Sequence, residues 1–72
     1  RDVLQNMLVA LINRNVSYKD KVFEYDQPWS YALICPFEEK QNLYGKINNI
    51  KEEMDKHLQD YSGIRLSYEV RN

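Results

Sequence analysis

The chain has little of what small secreted folds and flexible linkers are built from. Its 72 residues include one cysteine, two glycines and two prolines. A single cysteine cannot form an intramolecular disulfide, which indicates a reducing compartment and predicts a cytoplasmic protein. Scarce glycine and proline, with 43% apolar and 29% charged residues, are typical of a folded globular domain rather than a disordered segment.

Long apolar runs and an excess of either charge are also missing. No apolar run approaches the roughly 20 residues that cross a bilayer, so no membrane segment is predicted. Ten basic residues against eleven acidic ones provide no general attraction to nucleic acid or to an anionic membrane. A domain of this size buries only about 60% of its unfolded surface. We therefore expect residues 1–72 to form a single domain without a deep catalytic cleft.

The chain lacks the groupings that catalysis and metal binding require. Cys35 and His57 are the single residues of their types, and no third group at a recognisable spacing would orient them as nucleophile and base. These two residues are also too few for a structural zinc site, and there is no glycine-rich phosphate loop. We predict a domain with no catalytic residues, cofactor or metal, in which Cys35 is a buried or half-buried residue and His57 lies on the surface.

Periodicity in the first half of the chain predicts a helix and a hairpin. Apolar residues at steps of three and four predict an amphipathic helix over residues 2–14. Aromatic and β-branched residues predict strands over residues 21–26 and 29–35, with a turn at residues 26–28 where a proline lies.

Periodicity in the second half predicts a long helix and a strand. The helix is expected to begin near residue 38 and to end before Gly63. Its apolar stripe consists of Leu43, Ile47, Ile50, Met54, Leu58 and Tyr61, and the residues expected to face solvent are Lys46, Asn49, Glu53 and Lys56. Residues 64–71 alternate between apolar and polar side chains, which predicts a half-buried third strand. We therefore expect an α+β fold, ordered helix, strand, strand, helix, strand, with both helices on one face of a three-stranded sheet and a wet, charged opposite face.

This arrangement resembles a known small domain. The segments that carry the resemblance are Leu33-Ile34-Cys35-Pro36-Phe37, the helical stripe of Ile47, Ile50 and Leu58, and Tyr61-Ser62-Gly63-Ile64. They resemble the KH-like amino-terminal domain of the bacterial replication initiator DnaA. The chain is more similar to the version found as the carboxy-terminal domain of some bacterial DNA polymerase III gamma/tau clamp-loader subunits. The match covers residues 20–72, and the helix before it is compatible but unspecific.

The resemblance implies a KH-like fold and a non-catalytic protein-interaction domain of DNA replication, with replisome subunits as partners. It also implies that the chain is a carboxy-terminal fragment of a longer one. The chain departs from the family in two respects. Neither Gly45 nor Gly63 has a glycine three residues away, so the Gly-x-x-Gly loop with which KH domains bind nucleic acid is missing. No ATP-binding motif is present, so clamp-loader ATPase chemistry would belong to another part of the longer chain.

The predicted protein-interaction site is the end of the first helix and the loop after it. Its candidate residues are Asn13, Arg14, Asn15 and Tyr18. Tyr18 is an amphipathic residue in an otherwise polar loop, which is typical of residues that anchor small interfaces. The competing interpretation is that Tyr18 packs over the edge of the core.

Single-stranded nucleic acid is the alternative ligand. The residues that would stack or bind it are Tyr25, Tyr31, Arg65 and Tyr68. Because acidic residues are interleaved with the basic ones, we expect nucleic-acid binding to be absent or weak. A dimerising or adaptor module of another system, including a homo-oligomer, is left open.

Overall fold

Two helices and a two-stranded antiparallel sheet form the part of the chain that the computed structural model describes, residues 3–58 and 65–71. In chain order the elements are α1 (Val3–Arg14), β1 (Lys21–Glu24), β2 (Tyr31–Ile34) and α2 (Lys40–His57). The α+β class is therefore confirmed, as are the kind and order of the first four predicted elements. Residue 2, Tyr61, Gly63 and Ile64, which also entered the predictions, lie outside the described residues.

The end of α1 is fixed by Asn15. The Asn15 backbone N–H donates to the Ile12 carbonyl, and its side-chain Nδ2 donates to the Leu11 carbonyl at 2.9 Å. Carbonyls in the last turn of a helix have no partner within the helix, so a side-chain amide that binds one satisfies it and ends the helix. The predicted end at residue 14 is confirmed.

Both strands are shorter than predicted, because residues with positive φ flank them. β1 ends at Glu24, before Asp26, whose φ is 60°. β2 begins at Tyr31, after Trp29, whose φ is 67°. An extended strand requires negative φ, so neither residue can continue the ladder. Trp29 therefore lies in the hairpin loop and not at the start of the second strand, where the sequence predicted it.

The register of the sheet separates an inner face from an outer one. Val22 lies opposite Leu33, and Phe23 lies opposite Ala32. Directly paired residues point to the same face, and neighbours along a strand point to opposite faces. Val22 and Leu33 are half-buried, whereas Phe23 and Ile34 on the other face are exposed. The open face is thus largely apolar, and the expectation that it is charged is wrong.

The second helix begins later than predicted. Phe37 has a φ of 59° and Glu39 is extended, so the helical conformation starts at Lys40 and not near residue 38. The buried hydrophobic residues of the described segments are Leu8, Leu11, Ile50 and Leu58. The core that they form lies between the two helices.

Residues 65–71 contain no strand, and the sheet formed by the described residues has two strands. The predicted alternation appears only as burial, since Leu66 and Val70 are half-buried while their neighbours are exposed. The Tyr68 ring packs edge to face against Tyr44 of α2, with centroids 6.3 Å apart. Alternation follows from contact with solvent on one side, which an extended segment can have without pairing to a sheet edge.

Candidate functional site

A buried ion cluster joins the loop before β1 to the loop after β2. Lys46 Nζ lies 2.7 Å from Asp20 Oδ2 and 3.1 Å from Glu38 Oε1. The Asp20 side chain is fully buried, and those of Lys46 and Glu38 are largely buried. The prediction that Lys46 faces solvent is therefore wrong. On the helix, Lys46 follows Leu43 by three residues and precedes Ile50 by four, which places it on the apolar stripe.

The contacts of this cluster keep Asp20 and Lys46 charged. Burial raises the pKa of Asp20, but hydrogen bonds from Lys46 and from the Ser17 backbone outweigh burial and lower that pKa to about 2. The hydrogen bond to Asp20 raises the pKa of Lys46 above its ordinary value. Asp20 Oδ1 is buried without a hydrogen-bond partner. The buried Asp20 carboxylate therefore depends on Lys46 for its neutralisation.

Tyr18 lies on a turn that Asp20 closes twice. The Asp20 backbone N–H donates to the Ser17 carbonyl at 3.0 Å, and the Ser17 N–H donates to Asp20 Oδ2 at 2.8 Å. The Tyr18 side chain itself is 99% exposed. The interpretation that it packs over the edge of the core is therefore wrong, and the ring projects into solvent from a fixed turn.

The other three residues of the predicted interaction site differ in their surroundings. Asn13 is exposed. Arg14 Nη2 lies 3.1 Å from Glu53 Oε2, and Asn15 Nδ2 donates to the same oxygen at 3.2 Å. Arg14 and Asn15 thus join the end of α1 to α2, which leaves Glu53 less exposed than predicted. An ion pair this exposed contributes at most about 1 kcal/mol, so it orients the loop more than it stabilises the fold.

An open groove of about 470 Å³ lies beside this contact, between the two helices. Its lining consists of Met7, Ala10, Leu11, Arg14, Glu53, His57 and Leu58. His57 is exposed at the end of α2, as predicted. The polar lining residues are already engaged with one another or open to solvent, and the groove brings no acid, base and nucleophile together.

Cys35 and His57 lie towards opposite ends of α2. Cys35 Sγ is 3.8 Å from Lys46 Nζ, and His57 is the last residue of the helix. The eleven residues from Lys46 to His57 span roughly 16 Å of helix, which excludes a direct thiol–imidazole pair. Burial raises the pKa of the Cys35 thiol, the Lys46 ammonium opposes this, and Asp20 adds to it. The half-buried thiol is therefore protonated at neutral pH and is a poor nucleophile.

The residues of the nucleic-acid alternative lie on different surfaces. Tyr25 is exposed just after β1. Tyr31 is half-buried on the inner face of the sheet, and its hydroxyl is buried without a partner. Tyr68 packs against α2, and Arg65 is exposed in the second described segment. Because stacking of successive bases needs neighbouring rings, this arrangement does not favour a platform for a single strand.

Phe37 is a fully exposed residue that was not among the predicted site residues. It occupies the third position of a turn that is closed by the Glu38 N–H, which donates to the Cys35 carbonyl at 3.4 Å. Pro36 occupies the second position. With a φ of 59°, Phe37 stands where glycine or asparagine is usual. One feature of the sequence indicates an exposed turn here: a proline followed by a large apolar residue, Pro36-Phe37, between a predicted strand and a predicted helix.

Comparison with protein families, with characterised proteins and with solved structures finds no match to the chain. Within residues 3–58 and 65–71, no three Cys, His, Asp or Glu side chains are placed to hold a metal ion. No helix in those segments is long and apolar enough to cross a membrane. The features that remain as a candidate site are Tyr18, Phe37 and the ion cluster between their loops.

Proposed function

We propose that the chain is a non-catalytic protein-interaction domain whose binding site includes Tyr18. The observation that carries this proposal is the 99% exposure of Tyr18 on a turn closed by two hydrogen bonds to Asp20. An aromatic ring on a fixed turn loses little conformational freedom on binding, because the backbone is already ordered. Tyrosine is also enriched among the residues that contribute most to protein–protein affinity.

The four residues predicted for this site then have two kinds of role. Asn13 and Tyr18 are exposed and would contact the partner. Arg14 and Asn15 bind Glu53 and hold the end of α1 in place, so they position the loop that carries Tyr18. Loss of Arg14 should therefore weaken binding less than loss of Tyr18.

The resemblance extends the proposal to DNA replication. On that basis the domain is KH-like, and its partners are replisome subunits in the cytoplasm. Support for this part of the proposal comes from the order of helix, hairpin and long helix in residues 3–58. Further support comes from the sequence pattern of residues 20–72, on which the resemblance rests.

The test is binding of purified replisome subunits to the immobilised chain, measured by surface plasmon resonance. We expect Tyr18→Ala to weaken the affinity at least about tenfold, a loss of about 1.4 kcal/mol. Arg65→Ala is the matched control, because it removes another exposed side chain from a different segment, and it should bind as the parent does. Circular dichroism checks that both variants are folded.

Three results would contradict the proposal. Binding that survives Tyr18→Ala and is lost with Arg65→Ala would move the site to another surface. Failure of the parent to bind any replisome subunit would remove the replication assignment. Micromolar or tighter binding of a single-stranded oligonucleotide at physiological salt would favour the nucleic-acid alternative.

A further inference from the structure

Two aromatic rings project from loops at the same end of the sheet. Tyr18 and Phe37 are completely exposed, and the next most exposed large apolar residue of the described segments is Val3 at 72%. Lys21, the first residue of β1, is paired with Ile34, the last residue of β2. The loop that precedes β1 and the loop that follows β2 therefore meet at one end of the sheet.

A single lysine fixes these two loops to each other. Asp20 lies two residues after Tyr18, and Glu38 lies one residue after Phe37. Both carboxylates are within hydrogen-bonding distance of Lys46 Nζ, at 2.7 Å and 3.1 Å. The cluster is largely buried, so it is screened little by solvent and salt. The backbones of the two loops that carry the rings are thus tied to the same residue of α2.

The backbone at Phe37 is held in a conformation that its side chain disfavours. A positive φ is costly for a residue with a β-carbon, and the exposed ring makes no packing contact that would offset the cost. Strain of this kind persists where the surroundings enforce it, and it is concentrated at functional positions. At this turn the Glu38–Lys46 contact and Pro36 supply the enforcement.

We propose that Phe37 is a second anchor of the site that contains Tyr18, and that the partner is a protein with an apolar groove that receives both rings. This inference rests on the proposed function and names the kind of partner. Because the two loops are already tied to each other through Lys46, less backbone entropy is lost when both rings enter one groove.

The charges around the rings favour a protein partner over a bilayer. Lys19 and Lys40 are exposed beside Tyr18 and Phe37, and Glu39 is exposed between Phe37 and Lys40. The ion cluster beneath them holds two carboxylates for one ammonium. Mixed charge around an apolar centre is typical of the rim of a protein interface. Attachment to an anionic bilayer uses clusters of basic residues without interspersed acids.

The first stage of the test is photo-crosslinking from defined positions in cells. A benzophenone amino acid is introduced at position 18 or at position 37, and at position 23 as a control, because Phe23 is an exposed aromatic residue on the open sheet face. We expect positions 18 and 37 to crosslink the same protein, identified by mass spectrometry, and position 23 not to crosslink it.

The second stage measures the affinity of that purified protein for the chain. Tyr18→Ala and Phe37→Ala should each weaken binding at least about tenfold, and Phe23→Ala should change it less than about twofold. Because both anchors lie outside the core, the variants should keep the circular dichroism spectrum of the parent.

The outcomes separate this inference from the proposed function. Crosslinking and loss of affinity at position 18 alone would overturn the second anchor and leave the proposed function in place. Different partners at the two positions would overturn the shared groove, and no crosslink at either position would overturn both proposals. A crosslink to a second copy of the chain would overturn the proposed partner and indicate self-association through these rings. Sedimentation of the chain with phosphatidylcholine–phosphatidylglycerol vesicles that is lost in Phe37→Ala would overturn the protein partner and indicate binding to a bilayer.

Discussion

Two turns of the same chemistry flank β2, one in the hairpin loop and one before α2. Each has a proline in the second position and an aromatic residue with positive φ in the third: Pro28 and Trp29 in the first turn, Pro36 and Phe37 in the second. Each is closed by a backbone hydrogen bond, from Ser30 N–H to the Gln27 carbonyl at 3.1 Å and from Glu38 N–H to the Cys35 carbonyl at 3.4 Å. Proline sets φ for the second position, but the third position favours glycine or asparagine. Both turns therefore carry local backbone strain.

What differs between the two turns is how the strain is offset. Trp29 is 47% exposed, so about half of the residue's surface is covered and contributes apolar burial. Phe37 is fully exposed and contributes none, but its neighbour Glu38 binds Lys46. Burial of the Trp29 side chain thus offsets the strain of the hairpin turn. The ion pair between Glu38 and Lys46 of α2 offsets the strain of the second turn. A ring that is not needed for packing is available for a partner.

The largest expected effect comes from replacing Lys46, which binds Glu38 beside the second turn and Asp20 before β1. Lys46→Met leaves the buried Asp20 carboxylate without its counter-ion, and breaking a buried pair in this way costs about 3–5 kcal/mol. We expect the free energy of unfolding, measured by urea denaturation, to fall by that amount. Lys51→Met is the matched control, because Lys51 is exposed on the same helix and its loss should change stability by less than about 0.5 kcal/mol. Equal stability of the two variants would show that the ion cluster does not stabilise the fold.

Acid should weaken the Asp20–Lys46 part of the ion cluster by a smaller amount. The pKa of Asp20 is lowered from 3.8 to about 2 in the folded chain, so the unfolded chain takes up its proton first as the pH falls. The stabilisation is complete above about pH 4 and is lost between about pH 4 and pH 2, with a total of up to about 2 kcal/mol.

Urea denaturation across this pH range, followed by the fluorescence of Trp29, the only tryptophan, measures the loss. Asp20→Asn should remove this part of the pH dependence, because the amide does not titrate. If Asp20→Asn and the parent lost the same stability between pH 4 and pH 2, other carboxylates would account for the acid sensitivity.

Local patterns in the sequence were sufficient for most of the secondary structure. Steps of three and four, such as Leu8 to Leu11 in α1 and Ile47 to Ile50 in α2, predict both helices, because burial of one helical face produces that periodicity directly. The two prolines mark the ends of β2 because they cannot donate to a ladder. These features depend on neighbours only a few positions away.

The candidate site depends on distant residues and on backbone angles, which local patterns do not specify. Lys46 is paired with Asp20 across 26 positions, and a lysine at the edge of an apolar stripe is usually solvated through its flexible stem. The positive φ values at Trp29 and Phe37 are unexpected for residues with large side chains, so the sequence predicted a longer strand and a longer helix than the structure has. The sequence identified Tyr18 as a candidate interaction residue, but only the structure shows that its side chain is exposed.

The smallest expected effect is also the most direct comparison of the two turns. In Phe37→Gly, release of the positive φ gains about 1–2 kcal/mol, the added freedom of the unfolded chain removes about 0.4–1, and no packing is lost, so stability should rise by about 0.5–1 kcal/mol. In Trp29→Gly the same release is outweighed by the loss of a half-covered ring, so stability should fall by about 1–2 kcal/mol. Urea denaturation followed by circular dichroism measures both variants, since one of them has no tryptophan. Changes of the same sign would show that the two turns are supported alike, and opposite signs would show that Phe37 is retained at a cost to stability.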